Sequence, residues 1–300
     1  MRSGRSLPGV ARRVALYLWP VAAAMAMATM AALPARAAEP AAVAFDSQDG
    51  THLKAWLFMP EVQPPRGTVI ALHGCGGLYA TSGRRQGQLN ARHQAVGDML
   101  REEGYAVLYP DSLTPRGVDQ ICTQKYRSRS IGQAQRRQDT LAARAWVAAQ
   151  PWADARRIAL LGWSHGGSAV LAVTDARKAE SGTGVTPAAF AAAVAFYPGC
   201  AAALKSGYQP SAPLTMMVGE LDDWTPAAPC IALGQAVGAE VHVYPGSYHD
   251  FDNPVGTVRL RADVPNGVLP GQGVHAGANP EARRAAYTRL REILRAAFAG

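Results

Sequence analysis

The sequence predicts an α/β domain in which a mainly parallel central sheet is flanked by helices on both faces. Short β-rich runs bounded by Gly and Pro alternate with alanine-rich helical runs, and this alternation is typical of the class. Most of the strand-like runs are continuously apolar, as expected for strands buried on both faces. No internal repeat and no Gly/Ser-rich or Pro-rich linker divides residues 38–300, so they are expected to form a single domain.

The predicted strands begin with a hairpin. Its strands, 43–45 and 53–58, flank Asp49-Gly50, a pair that is typical of a two-residue turn. Six further strands are predicted at residues 68–72, 106–109, 158–161, 192–196, 214–218 and 241–244.

The predicted helices lie between these strands and at the end of the chain. They cover residues 90–103, 131–149, 165–179, 227–237 and 280–298. The last helix has the clearest start, with Asn279 as its N-cap, Pro280 in its first turn and Glu281 near the positive end of its dipole. Residues 252–278 are rich in Gly and Pro and predict a long loop without secondary structure, of the kind that is usually functional or mobile.

The N-terminus has the layout of a cleaved signal peptide, residues 1–37. Arginines at positions 2, 5, 12 and 13 precede an apolar stretch, 14–33, and the small-x-small signal Ala35-Arg36-Ala37 follows. An uncleaved membrane anchor is the alternative, but Pro20, the alanine-rich interior and the cleavage signal favour removal. We therefore expect a periplasmic or secreted protein without stable membrane association after cleavage. The Arg12-Arg13 pair leaves both Sec and twin-arginine export open.

The basic charge belongs largely to this leader. Without its five arginines the net charge falls from +8 to +3, from 25 basic and 22 acidic residues. No basic stripe interleaved with aromatic residues is present, so a nucleic-acid partner is not expected.

The four cysteines make an even set in a chain predicted to reach an oxidising compartment. Three connectivities are open. We favour Cys75–Cys122 and Cys200–Cys230, because each pair would join neighbouring loops at one end of the sheet. The spacing lacks a C-x-x-C motif, and no metal site is expected.

A nucleophile motif follows the strand at 158–161. Gly162-Trp163-Ser164-His165-Gly166 fits G-x-S-x-G, in which a sharp strand-to-helix turn presents a strained serine and leaves no room for side chains beside it. Upstream, His73-Gly74-Cys75-Gly76-Gly77 follows another strand, where a second oxyanion donor is expected. The main-chain N–H groups of His165 and of Cys75 or Gly76 would then hold the oxyanion. His73 is interpreted as a residue that orders this loop.

Two later loops contain the partners of the serine. Asp222 and Asp223 follow the strand at 214–218, and His249 follows the strand at 241–244, so the chain order is Ser, Asp, His. Asp222 is predicted to orient His249 because it comes directly off its strand. Asp223 would then face solvent or cap the helix near Pro226, although it remains the alternative partner. His249 would activate Ser164 for attack on a carbonyl and form an acyl-enzyme that water hydrolyses.

These segments resemble the dienelactone hydrolase family, within the α/β-hydrolase fold. The matching segments are His73 to Gly77, Gly162 to Gly167, Gly219 to Pro226 and His249-Asp250-Phe251. The resemblance covers nearly the whole chain after the leader and implies a hydrolase without a large lid domain or a cofactor. Dienelactone hydrolases proper have a cysteine at the position of Ser164, so a more general esterase or lactonase acting on a small-molecule ester or lactone is expected.

Two other functions remain open from the sequence. A serine peptidase of the same fold would use the same triad, and a non-catalytic envelope binding protein could be built on the same scaffold. Five residues lie in segments that could line the pocket, although core packing or surface exposure explains each equally well: Tyr79, Arg84, Arg85, Trp163 and Trp224.

Overall fold

The computed structural model describes residues 39–178 and 189–299, together with Met1 and Gly9. The predicted leader otherwise lies outside the described residues and stays a prediction. Residues 38–300 form one compact unit.

The central sheet has eight strands and is mostly parallel, as predicted. The strands are β1 Ala41–Asp46, β2 His52–Phe58, β3 Thr68–Leu72, β4 Ala106–Asp111, β5 Ile158–Trp163, β6 Ala192–Phe196, β7 Leu214–Gly219 and β8 Glu240–Tyr244. Their order across the sheet is β1-β2-β4-β3-β5-β6-β7-β8. The pairs β1/β2 and β2/β4 are antiparallel and all other pairs are parallel. The loops after β3, β5, β7 and β8 therefore leave the sheet at the same edge.

In the described part of the chain, six α-helices pack on this sheet: α1 Ala91–Glu102, α2 Gln133–Ala148, α3 His165–Val173, α4 Ala201–Ser206, α5 Ala227–Val237 and α6 Pro280–Ala297. Side chains of α2, α3 and α5 share one buried cluster, and those of α1 and α6 share a second, so the sheet is covered on both faces. The Asn279 side chain caps α6 as predicted, accepting hydrogen bonds from the main-chain N–H groups of Glu281 and Ala282 at 3.2 Å. The sequence did not predict α4, because its six residues are too few to show a helical period.

The predicted two-residue turn of the hairpin is wrong. Asp46 pairs with His52, so five residues, 47–51, connect the strands. Long-range contacts widen this turn. The buried Ser47 hydroxyl donates a hydrogen bond to Asp139 at 2.6 Å, and Arg116 bonds the Asp49 carboxylate at 2.7 Å.

Helix α3 is shorter than the predicted 165–179, of which residue 179 lies outside the described range. It ends at Val173 because Thr174 takes other partners. The Thr174 hydroxyl donates to the Val170 carbonyl at 2.8 Å, and its own carbonyl accepts the N–H of Ser211 at 2.8 Å. The carbonyl of Thr174 is thereby unavailable for another helical turn.

The prediction of a structureless loop at 252–278 is also wrong. Two short strands, β9 Arg259–Arg261 and β10 Val274–Ala276, pair antiparallel within it. Buried Val264 and Val274 pack in a third cluster with Trp224 and the Cys75–Cys122 pair. A hydrophobic contact of this kind orders a Gly- and Pro-rich segment that has no periodicity of its own.

Three buried histidines, His73, His93 and His165, make the folded state less stable at acid pH, because protonating them inside the protein costs free energy. Burial lowers the pKa of His73 and His165 well below the ordinary 6.5 and lowers that of His93 to about 3. The contacts of His73 suit its neutral form, in which Nδ1–H donates to the Gly74 carbonyl at 2.8 Å and Nε2 accepts the N–H of Ser112 at 3.2 Å. These contacts tie the loop after β3 to the loop after β4, as expected of a loop-ordering residue.

We predict that the free energy of unfolding falls steeply between pH 6.5 and 4. A histidine whose folded pKa is depressed gives full stability above its unfolded pKa of about 6.5, and the unfolded chain gains protons below it. Each such group contributes a slope of roughly 1.4 kcal/mol per pH unit. Denaturant unfolding at pH 7.5 and 5.5 measures the free energy of unfolding at each pH. The His93→Phe variant should show a smaller difference between the two values, because it lacks one of the three histidines. Equal stabilities at the two pH values would contradict the prediction.

Candidate active site

Ser164 lies at the turn between β5 and α3 with a strained backbone. Its φ is +53° and its ψ is −114°, outside the region that side-chain-bearing residues favour. The surrounding glycines make this turn feasible. A Cβ on Gly162 would lie 2.3 Å from the Gly166 carbonyl oxygen, and one on Gly166 would lie 2.0 Å from that of Leu72. The G-x-S-x-G pattern therefore reflects a steric requirement, and the turn presents Ser164 at the sheet edge.

The structure brings Ser164, His249 and Asp222 together in series. His249 Nε2 lies 2.9 Å from Ser164 Oγ, and His249 Nδ1 lies 2.8 Å from Asp222 Oδ2. The imidazole and the carboxylate are both buried. The rings of Tyr197 and Trp224 lie 4.5 and 4.6 Å from the imidazole centroid and confine it from two sides. With Nδ1–H donated to the carboxylate, Nε2 is the nitrogen that can accept the serine proton.

The two neighbouring aspartates have different partners. Asp222 is held by the main-chain N–H groups of Trp224 and Thr225, at 2.9 and 2.8 Å, and reaches His249. Asp223 instead bonds His275, accepting from its main-chain N–H at 2.8 Å and lying 2.7 Å from its ring Nδ1. The expectation that Asp223 could cap α5 is wrong, because β10 of the long loop supplies a closer partner, while its side chain stays 34% exposed to solvent.

Thr225 is a site residue that the sequence reasoning missed. Its hydroxyl lies 3.0 Å from Asp222 Oδ2, 3.0 Å from the Tyr197 carbonyl and 3.1 Å from His249 Nδ1. An Asp followed three residues later by Thr is a local turn pattern, in which the side chain bonds the main chain ahead of it. That pattern could have indicated Thr225 as a second group on the carboxylate.

The predicted oxyanion donors lie on two sides of Ser164. Cys75 and His165 line the same cavity as Ser164, and Gly76 does not. The N–H of His165 is at the first turn of α3, where main-chain donors have no partner within the helix. The Cys75 loop runs beside the Ser164 turn, since a Cβ on Gly74 would lie in ordinary van der Waals contact with Ser164 Cβ, at 3.5 Å. The oxyanion role of these groups remains a prediction.

A cavity of about 500 Å³ opens beside the Ser164 hydroxyl. This volume suits a small organic molecule. Its walls come from the segment before α2, from the starts of α2, α4 and α5, from α3, and from the loops that precede α4 and α5. Besides Cys75, Ser164 and His165, the lining residues are Tyr126, Arg129, Gly132, Gln133, Ser168, Gly199, Cys200, Ala201, Ala202, Trp224, Thr225, Pro226 and Pro229. Of the five pocket candidates from the sequence, only Trp224 is among them. Trp163 is buried in the core, and Tyr79 accepts a hydrogen bond from Trp56.

Both predicted disulfides are present and brace these walls. Cys75 is bonded to Cys122, and Cys200 to Cys230. Cys75 and Cys200 face the cavity from opposite loops, one after β3 and one after β6. Each bond thus ties a cavity-lining loop to a segment far along the chain.

Arg129 is the charged side chain in the cavity wall. Its guanidinium stacks over Tyr126, with 4.7 Å to the ring centroid, and its Nε donates to the Ile121 carbonyl at 3.1 Å. Among the described residues no carboxylate forms an ion pair with it, and burial lowers its pKa from the ordinary 12.5. His165 beside it stays neutral because of its lowered pKa, and its Nδ1 has no hydrogen-bond partner. The wall is therefore cationic at neutral pH.

Comparison with known proteins places the chain in a family. The model of the dienelactone hydrolase family matches residues 53–298. The chain belongs to the dienelactone hydrolase family. No curated protein matches the sequence.

Solved structures share the fold of this dienelactone hydrolase family member. A Klebsiella pneumoniae protein assigned to the dienelactone hydrolases superposes with a TM-score of 0.61 at 19% identity, covering 87% of this chain and 98% of its own. A dienelactone hydrolase-like promiscuous phosphotriesterase from metagenomic libraries gives 0.60 at 20% identity, with coverages of 86% and 98%. The dipeptidyl peptidase 4 of Porphyromonas gingivalis gives 0.55 at 19% identity, over 86% of this chain but only 35% of the peptidase.

The described residues contain neither a metal-binding cluster nor a membrane-spanning helix. No group of three or more His, Cys, Asp or Glu side chains there has the arrangement to hold a metal ion. Within the same part of the chain, every helix is too short or too polar to cross a bilayer.

We predict that Thr225→Val lowers kcat for hydrolysis about tenfold with little change in KM. The hydroxyl supports the carboxylate that would stabilise a protonated His249, and a hydrogen bond worth about 1.4 kcal/mol in the transition state corresponds to that factor. Thr174→Val is the matched control, because it removes another buried threonine hydroxyl remote from the site. Equal effects of the two substitutions on kcat would contradict the role of Thr225.

Proposed function

We propose that this protein is an exported serine hydrolase that cleaves a carboxylic ester or lactone through an acyl-enzyme. The observation that carries the proposal is the hydrogen-bonded series of Asp222, His249 and Ser164 beside a cavity. Asp222 Oδ2 lies 2.8 Å from His249 Nδ1, and His249 Nε2 lies 2.9 Å from Ser164 Oγ. Family membership supports a hydrolase, and the two disulfides support export to an oxidising compartment, where such bonds persist.

The mechanism follows from the positions of the proposed groups. Ser164 Oγ attacks the ester carbonyl while His249 Nε2 removes its proton, and Asp222 stabilises the imidazolium. The main-chain N–H groups of His165 and Cys75 hold the negative oxygen of the tetrahedral intermediate. The imidazolium then protonates the departing alcohol and leaves an acyl-serine. Water, activated by the same imidazole, releases the acid and restores Ser164.

Two rival functions make different demands. A peptidase must protonate a poor leaving amine and align a peptide, and the matched peptidase is much longer, since only 35% of it is covered. A binding protein has no need for a serine, an imidazole and a carboxylate in hydrogen-bonding series. The ester or lactone hydrolase therefore accounts best for the site.

We predict that Ser164→Ala lowers turnover of a p-nitrophenyl ester by at least roughly a thousandfold, with the melting temperature little changed. A fluorophosphonate probe should label the wild type and not this variant. Ser211→Ala is the control, because its exposed hydroxyl bonds only the Thr174 carbonyl. An unlabelled, inactive wild type would support the binding protein. Faster cleavage of peptides than of esters would support the peptidase.

The positive charge of Arg129 in the cavity wall favours, as substrate, an ester that carries a negatively charged group. Arg129 is partly desolvated in the cavity, and an anion beside it would offset that cost with a charge-assisted hydrogen bond. Tyr126 holds the guanidinium plane in place and so reduces the loss of rotamer freedom on binding.

We predict that Arg129→Gln lowers kcat/KM about 10- to 100-fold for a p-nitrophenyl ester with a carboxylate on its acyl chain, and under threefold for the uncharged ester of equal length. Hydrogen bonds to charged groups contribute about 1.5–3 kcal/mol. Arg127→Gln is the matched control, since Arg127 is exposed and two residues away. Equal losses for the two esters would show that Arg129 acts on the fold instead.

A further inference from the structure

Two non-glycine residues beside the candidate catalytic histidine have strained backbones. Asp250, which follows His249, has a φ of +65°, and Tyr197, whose ring packs on His249, has a φ of +36°. Such conformations persist only where surrounding contacts hold them. Both residues contact the same side chain, Arg92 of α1, which bonds the Asp250 carboxylate and lies 2.9 Å from the Tyr197 hydroxyl.

Asp252 extends this group of contacts towards the nucleophile. Its fully buried carboxylate accepts hydrogen bonds from the Tyr197 hydroxyl, from Trp163 Nε1 at 2.8 Å and from the Tyr287 hydroxyl at 2.6 Å. Trp163 immediately precedes Ser164 on β5. A single carboxylate is therefore bonded to the residue before the nucleophile and to the residue that packs on the base.

The ion pair of Arg92 and Asp250 keeps its charges throughout the neutral pH range. Burial alone would lower the pKa of Arg92, but Asp250, Tyr197 and Asp252 raise it well above its ordinary value. Burial would raise the pKa of Asp250, and Arg92 lowers it. The guanidinium also lies over the Trp163 ring, 5.6 Å from its centroid. Because this ion pair does not titrate near neutral pH, Arg92 and Asp250 can hold the loop in place but do not transfer protons there.

We propose that Arg92, Tyr197, Asp250 and Asp252 form a positioning cluster that fixes the His249 loop relative to the Ser164 turn, so that the 2.9 Å contact between Nε2 and Oγ is formed before substrate binds. The inference rests on the proposed function. The base and the nucleophile come from loops that follow different strands, so their separation depends on contacts between those loops. A displacement of about 1 Å between them would lower the rate of the reaction without weakening substrate binding.

The test compares two buried tyrosines. Tyr197→Phe removes the hydroxyl that bonds Asp252 in the cluster, and Tyr208→Phe removes a buried hydroxyl that pairs with Thr174 at 2.7 Å, remote from the site. We expect Tyr197→Phe to lower kcat and the rate constant of fluorophosphonate labelling about tenfold, with KM within twofold of wild type. Tyr208→Phe should lower the melting temperature to a similar extent and leave both rates unchanged.

Arg92 provides the second arm. Arg92→Met leaves two buried carboxylates without a cation and can prevent folding, so Arg92→Lys is measured beside it. The lysine variant retains the positive charge but loses the planar guanidinium that bonds two partners at once. We expect its labelling rate to lie between those of the wild type and of Arg92→Met. Wild-type rates in both Tyr197→Phe and Arg92→Lys would overturn the cluster's role while leaving the proposed hydrolase intact. An inactive, unlabelled wild type would instead overturn the proposed function, and this inference with it.

Discussion

Every group that the proposed chemistry requires is delivered by the carboxyl end of a parallel strand. Ser164 follows β5, Asp222 follows β7 and His249 follows β8, while the Cys75 loop follows β3. Parallel pairing places these ends at one edge, so residues up to 85 positions apart reach hydrogen-bonding distance. Helix α3 begins at that edge with its unpaired N–H groups directed to the same place. The sheet thus supplies proximity, and the loops have only to supply orientation.

Several buried polar groups orient the residues of the site. Asp222 is held by two main-chain donors and by Thr225, His73 orders the loop that contains Cys75, and Arg92 lies between two carboxylates beneath the histidine loop. Such groups are costly to bury unless they are satisfied, and nearly all of these have close partners. The strands of the central sheet are mostly apolar by contrast.

The sequence predicted the parts of the molecule that local rules determine. The turn at Ser164 shows itself through glycines that have no room for a Cβ, and the buried strands through continuous apolar runs. Groups that act across the fold could not be predicted in this way. Arg92 resembles any arginine on an amphipathic helix, and its main partner, Asp250, is 158 positions away. Arg129 faces the cavity only because residues 121–131 pack against the long loop, where Asn266 bonds Gln124 and Tyr126.

One disulfide joins the loop after β3 to the segment before α2, the other joins the start of α4 to helix α5, and neither joins two strands of the central sheet. Cys75 and Cys200 face the cavity, whereas none of the four sulfur atoms crosslinks a pair of neighbouring strands. Reductants would therefore release the loops that line the cavity while the strand pairing of the sheet keeps all its hydrogen bonds. The whole fold would still lose stability, because each lost crosslink gives the unfolded chain more conformational freedom.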